Sequence, residues 1–345
     1  MRFALLCLVL VACGDDSSGS DASVDARGVD APGVDAPGTD TGRDAGSGVW
    51  RPFRPDSPWN TPIASGASVH PESASLIAGL RDSAPGMGFY INIPQYSVPV
   101  YWVDGSVPLV EVYGPVTNIG MPGTFMAPVP SGAMPAAGDD RHLSVARRDT
   151  GEAWDMIGAR FVGGRWETDL TALSDLNGTG VRPPKNGEQE WFISHGARAC
   201  GYPLLAGLIR VEEMEAGRIE HALVLGYPGI RSRFYTQPAS TAQATFPLIS
   251  PDVGMPCGAR VQLDPSVDVE SLGLSAAGVV VARALQEYGA FVGDFSGAIT
   301  LYADAHPQAQ AELERLLAPS EIFDRTDLFD SLRVLQWGEL YDDMN

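Results

Sequence analysis

The densest charge in this 345-residue chain lies in residues 138–155, GDDRHLSVARRDTGEAWD. Leu143 and Val145 mark one face of a strand, so period-two alternation places Asp140, His142 and Ser144 on the other. A carboxylate and an imidazole about 7 Å apart at their Cα atoms can fix a histidine tautomer and raise its basicity. A solvent-facing pair held only by structural hydrogen bonds gives the same pattern. Arg141 and Asp155 add a cation and a second carboxylate, and the candidate catalytic set is Asp140, Arg141, His142 and Asp155. Glycan cleavage needs either two carboxylates astride the bond, or a base with an arginine that neutralises a uronate for β-elimination. For elimination, His142 is the base, Arg141 or Arg198 the carboxylate clamp and Tyr288 the acid.

Two other stretches carry polar groups. SHGARACGYPLLAGLIRVEEMEAG (194–217) is punctuated by glycine and holds His195 and Arg198. It reads as a loop lining a substrate groove, or as a buried crossing whose glycines permit close packing. His221 shares its strand face with Ile219 and Leu223, the setting of a core histidine. Trp154, beside Asp155, is the favoured stacking surface for a sugar ring, so the substrate-binding candidates are Trp154, His195, Arg198 and Tyr288.

The elements that must position these residues are mainly strands. Strand-like runs cover 88–93, 97–103, 107–113, 142–148, 153–157, 190–194, 218–226, 258–263, 290–294 and 298–302, separated by Gly, Pro and Asp turns. Helical periodicity is confined to 70–83, 271–289 (capped by Ser271 or Ser275 and stopped by Gly289) and 307–320. This pattern predicts a mainly β fold, a β-sandwich or jelly roll with a few peripheral helices, with α+β as the alternative.

Composition narrows the function classes. The formal charge is −20, and residues 14–49 contribute −6 of it through eight Asp and two Arg, so the rest of the chain is acidic too. That excludes nucleic acid and an anionic membrane surface as the natural ligand. Lys185 is the only lysine, which disfavours Schiff-base or Ser-Lys chemistry. There is no P-loop, GxSxG, HExxH, EF-hand or dinucleotide fingerprint, and neither Cys200 nor Cys257 stands in a CxxC or CxxH context, so no cofactor or metal is expected.

The N-terminus carries the most specific motif. Met1-Arg2 is followed by an apolar run from Phe3 to Ala12, far short of the ~20 residues of a membrane span. Leu10-Val11-Ala12-Cys13 resembles the lipobox of bacterial lipoproteins. The resemblance implies a signal peptide over 1–12, acylation of Cys13, and an exported chain held in the envelope by its lipid. Gly14 after the cysteine points to the outer membrane or cell surface. Residues 14–49, with GVDAP repeated at 28–32 and 33–37, lack aromatics and read as a disordered tether reaching about 30 Å. One β-rich domain is then expected over 50–345. With Cys7 removed and Cys13 acylated, Cys200 and Cys257 remain, and an exported protein with two such thiols is expected to join them in a disulfide; two separate buried thiols are the alternative.

The runs GDDRHLSV, GYPLLAGLIRVEEMEAGRIEHAL and RALQEYGAFVGD resemble a group of secreted bacterial proteins, some accompanying carbohydrate-active modules. The reading is therefore a surface-tethered lipoprotein whose domain cleaves polysaccharide, as a glycoside hydrolase or a polysaccharide lyase. The alternatives are a non-catalytic module binding glycan or another envelope protein, and a structural lipoprotein without a ligand.

Overall fold

Strand outweighs helix in the computed structural model, which describes residues 49–114, 123–184, 196–242, 253–317 and 325–343. All of these belong to one compact unit. The tether, Cys13, His195 and the predicted strand at 190–194 lie outside the described residues.

The fold is mainly β, with four mixed sheets. The first is ordered β1 (Val100–Val103), β4 (Leu143–Arg147), β5 (Glu152–Ile157) and β8 (Leu170–Asp175), with β1 parallel to β4 and the other pairs antiparallel. The second is ordered β3 (Gly123–Ala127), β2 (Val110–Gly114), β7 (Arg165–Glu167) and β6 (Arg160–Val162). The third is ordered β14 (Thr300–Leu301), β9 (Leu223–Gly226), β13 (Ala290–Asp294), β12 (Arg260–Leu263) and β15 (Leu332–Val334). A small fourth sheet joins β11 (Pro256–Cys257), β10 (Arg231–Tyr235) and β16 (Tyr341–Asp342).

The central strands of the first sheet, β4 and β5, are buried on both faces. Leu143, Val145, Trp154 and Met156 form a small core with Val112, Phe125 and Trp166 of the second sheet. Val100, Ala146, Ala153 and Ala172 join the main core, which includes Leu223, Val224, Val261 and Val292 of the third sheet. Strands covered on both sides lose the apolar/polar alternation of a half-exposed sheet, as in β9 (LVLG), whereas β4 (LSVAR) keeps the alternation although both of its faces are covered.

Helices α1 (Ser73–Ser83), α2 (Ile93–Tyr96), α3 (Val211–Ala216), α4 (Ala276–Glu287) and α5 (Pro307–Leu317) complete the described elements together with short 3-10 turns. In α4 the Ser275 hydroxyl accepts from the Gly278 N–H at 3.2 Å, and Val281, Ala284 and Leu285 are buried. Gly289 follows at φ +67°, where an added Cβ would lie 2.4 Å from the Val261 carbonyl oxygen, so the helix ends at a close backbone approach.

Residues 300–304 tie the layers together. Backbone bridges join Tyr90 to Thr300, Val98 to Asp304 and Ile209 to Ala303. Asp304 also accepts from the Val100 N–H at 3.1 Å, fastening the start of β1 to the same spine.

Candidate functional site

Four pieces of backbone meet around one group of ionisable side chains: the turn before β4, the loop 196–202, the end of β13 and the strand 300–304. The turn is shaped by Arg141, whose φ of +42° lies in the left-handed region and whose N–H donates to the Gly138 carbonyl at 3.1 Å. Strand geometry begins only at Leu143, so alternation does not reach back to Asp140. Asp140 is exposed, whereas His142 is 5 % exposed and its Nδ1 lies 3.2 Å from the Tyr96 carbonyl oxygen. A carbonyl only accepts, so Nδ1 carries the proton and the neutral ring keeps its lone pair on Nε2. Ser144, expected beside them on an open polar face, is fully buried and donates to Asp155 at 2.6 Å. The main core covers the face that alternation alone leaves open.

The loop 196–202 is held by Cys200, which is disulfide-bonded to Cys257 with the Cα atoms 5.5 Å apart. The Cys200 N–H donates to Gly293 at 3.2 Å and Gly258 N–H donates to Val292 at 2.9 Å, so the bridge seats the loop against β13 next to Asp294. Arg198 is thereby carried into the interior. Its guanidinium lies 3.1 Å from the Asp294 carboxylate, donates to the Leu204 carbonyl at 3.0 Å, and stacks over the Tyr302 ring at 4.4 Å. The Tyr302 hydroxyl hydrogen-bonds the same carboxylate. Gly226 makes room for it, since a Cβ there would sit 2.7 Å from that hydroxyl.

Asp140, His142, Arg198, Asp294 and Tyr302 act on one another electrostatically. Burial pushes the Asp294 carboxyl up to about 6, with Asp140 adding to the rise and Arg198 opposing it. The Asp294 side chain keeps 19 % of its surface in solvent. Burial and the Arg198 charge push His142 down to about 4 against the opposing pull of Asp140, leaving a neutral imidazole at pH 7. Burial, Asp294 and Asp140 drive the Tyr302 phenol well above its ordinary value. The cluster thus combines an exposed carboxylate, a second carboxyl that holds its proton far above the usual range, a neutral imidazole and an enclosed ion pair.

The structure brings Asp140, His142 and Arg198 together, places Trp154 and Tyr288 away from them, and encloses Asp155, on which Arg198 also acts, in the interior. Asp155 is fully buried, accepting from Ser144, from Ser174 at 3.4 Å and from the Leu204 N–H at 3.0 Å; burial raises its pKa. It fastens the segment after the loop to the first sheet. Trp154 lies 5 % exposed in the small core on the opposite face of β5, so it offers no stacking surface to the cluster. Tyr288 caps α4 among Glu220, Arg51, Glu287 and Arg218, a different charge neighbourhood. Arg141 is half-buried, 3.9 Å from Asp169. His221 is buried as expected, its Nε2 2.9 Å from Glu213 and its Nδ1 2.9 Å from the Ala222 carbonyl. Burial favours protonation of Glu213, but Arg210 at 2.6 Å and His221 together hold its carboxyl down to about 2.

Asp294 and Tyr302 were not among the residues singled out by spacing. Their signal was weak: each ends an apolar strand run, AFVGD and AITLY, where a polar residue is also the ordinary way a strand leaves the core. Two surface clefts lie elsewhere, one beside Val280 and one along α1. Their arginines are ion-paired, Arg218 to Glu287, Arg283 to Glu270 and Arg81 to Asp330, so the chemistry points to the cluster instead. Among the described residues no group of three or more His, Cys, Asp or Glu side chains is placed to hold a metal ion. Comparison with protein-family models, with curated proteins and with solved structures finds no match for this chain.

Proposed function

We propose that the chain is an envelope-tethered carbohydrate-active protein whose domain hydrolyses polysaccharide, with Asp294 as the acid and Asp140 as the second carboxylate. One observation carries this reading: a partly solvated carboxyl held protonated to about pH 6 and an exposed carboxylate act on each other electrostatically. Two carboxyl groups in environments that separate their proton affinities divide the roles of acid and base. In this scheme Asp294 gives its proton to the departing glycosidic oxygen as the bond to the anomeric carbon breaks. Asp140 then takes a proton from the attacking water, or itself bonds to the anomeric carbon before water releases the sugar. The anomer first formed tells these two routes apart. Arg198, His142 and Tyr302 are positioning residues that hold and polarise Asp294.

β-Elimination is less well supported. Of the two expected uronate clamps, Arg198 is enclosed and paired with Asp294, and Arg141 lies 3.9 Å from the Asp169 carboxylate. Two carboxyl groups facing solvent repel a uronate. In this proposal the lipid on Cys13 and the segment 14–49 hold the domain at the cell surface, beside its polymeric substrate.

A second reading rests on the enclosure of Arg198 and Tyr302, which also suits a structural ion pair beneath a glycan-binding surface. The test is an assay of the full chain in mild detergent against neutral and uronate-containing polysaccharides, following reducing ends and the ultraviolet absorbance of unsaturated products. Hydrolysis of neutral polymer, lowered at least 100-fold in Asp294→Asn and Asp140→Asn, supports the proposal. Unsaturated products, or full activity in both variants, overturn it.

A further inference from the structure

The segment 84–98 borders the acid cluster and carries no charged residue, in a chain of which 19 % is charged. Two large aromatic side chains on it stay in solvent: Tyr90, 42 % exposed, and Tyr96, 40 % exposed. Between them stand Asn92 and Gln95, whose carboxamides hydrogen-bond each other at 2.6 Å and retain further donors and acceptors. The ridge is rigidly seated on the cluster. Tyr90 bridges Thr300, two residues before Tyr302, and Leu301 N–H donates back to the Tyr90 carbonyl at 2.9 Å. At the other end the Tyr96 carbonyl faces His142, and Gly138 N–H donates to Gln95 at 2.9 Å. Gly138 is required there, since a Cβ would lie 2.5 Å from the Gln95 carbonyl oxygen and 2.8 Å from the Tyr96 ring. Tyr96 thus stands directly against the turn that presents Asp140.

An exposed phenol ring offers an apolar face with a polar edge, and two such rings separated by amides form a surface for a ligand with apolar C–H faces and many hydroxyls. The five residues from Thr300 to Asp304, which run beside this ridge, span roughly 13 Å, the length of a short run of sugar rings. The lack of charge along the ridge and the carboxyl groups beside it select against an anionic ligand. We infer that Tyr90 and Tyr96 are sugar-stacking subsites that seat an extended, uncharged glycan across Asn92 and Gln95, alongside Asp140 and Asp294. This rests on the hydrolase reading for its location, yet it concerns binding alone.

The test uses the full chain carrying Asp294→Asn, so that binding is measured without turnover. Calorimetric titration with cello-, xylo- and mannohexaose and with oligogalacturonate as the anionic control reads the affinity. The expected result is binding of at least one neutral hexamer and not of oligogalacturonate, weakened at least tenfold by Tyr96→Ala and by Tyr90→Ala and restored by the Phe substitutions. Unchanged affinity in the Ala variants, preference for the anionic ligand, or no binding of any hexamer at millimolar concentration overturns the inference. Turnover by the parent chain that ignores both tyrosines removes the subsites and leaves the acid pair standing. Tyrosine-dependent binding without turnover does the reverse.

Discussion

Asp294 and His142 sit in one cluster with oppositely directed consequences for pH. Asp294 is raised to about 6 in the folded chain from an unfolded value near 3.8, so folding gains from its proton. That gain is fully present below the unfolded value and is lost as pH rises through about 6. With part of the side chain in water, about 3 kcal/mol is an upper bound. His142, at about 4 against an ordinary 6.5, contributes stability that is present above pH 6.5 and lost as pH falls through about 4. In denaturant titrations from pH 4 to 7, Asp294→Asn is expected to gain stability relative to the parent as pH rises, and His142→Asn to gain relative to it as pH falls. Parallel curves for either variant would remove the corresponding shift. The two buried histidines differ in kind. His221→Ala leaves the carboxylate of Glu213 in the interior with one partner fewer, and a loss of about 3 kcal/mol or more is expected in urea melts, with activity retained by the folded fraction.

At the scale of elements, close backbone approaches decide where the loops can run. Gly258, next to the bridged Cys257, has φ +89°, and a Cβ on it would fall 1.7 Å from the Thr236 carbonyl oxygen. Gly258→Ala is expected to abolish folding or to lower Tm far more than the Gly273→Ala control. Gly273 has φ +68° but open space around it, so the substitution there costs only the left-handed strain of ~1 to 2 kcal/mol. Thermal melts of the two variants test this directly. The helices show which local signals carry. Ser275 and Gly289 bracket α4 where capping chemistry predicts, and α1 and α5 fall within their periodic stretches. Strand 298–302 contracts to Thr300–Leu301 and the run 88–93 contributes only a bridge at Tyr90, because these segments pair across layers rather than within a hairpin. Helix α3 reads within the glycine-rich stretch as loop. It forms with the Glu213 carboxylate accepting from the Arg210 N–H at 3.1 Å, one half of a capping box, since the Arg210 guanidinium only donates and cannot return the bond.

For the whole molecule, the proposed placement on the envelope depends on Cys13. A Cys13→Ser variant is expected to remain as uncleaved precursor or to leave the membrane fraction, and normal membrane partition of that variant, read by fractionation, would sink the proposed anchor. No helix among the described residues is long and apolar enough to cross a membrane. The acidic balance of the chain agrees with a neutral rather than an anionic polymer as partner, since a net charge of −20 repels polyanions over a Debye length of about 8 Å in physiological salt.

The sequence by itself determined the mainly β class, the three longer helices, the core placement of His221 and the Cys200–Cys257 bridge. Each rests on local periodicity, on capping chemistry or on arithmetic over four cysteines, and none needs knowledge of a distant neighbour. It also picked out Asp140, His142 and Arg198 by charge and context. Only the tertiary structure decided what those three share. Arg198 stands 96 positions before its partner Asp294, and Tyr302 is brought to both by bridges from segments 90–98 and 209. The opposite error has the same origin. Trp154 and Asp155 looked accessible because alternation says that two faces exist and not what covers them. In this fold a second sheet covers the face of Trp154 and the main core covers that of Asp155, so the polar chemistry moved to the turn before β4 and the end of β13, where the layers stop.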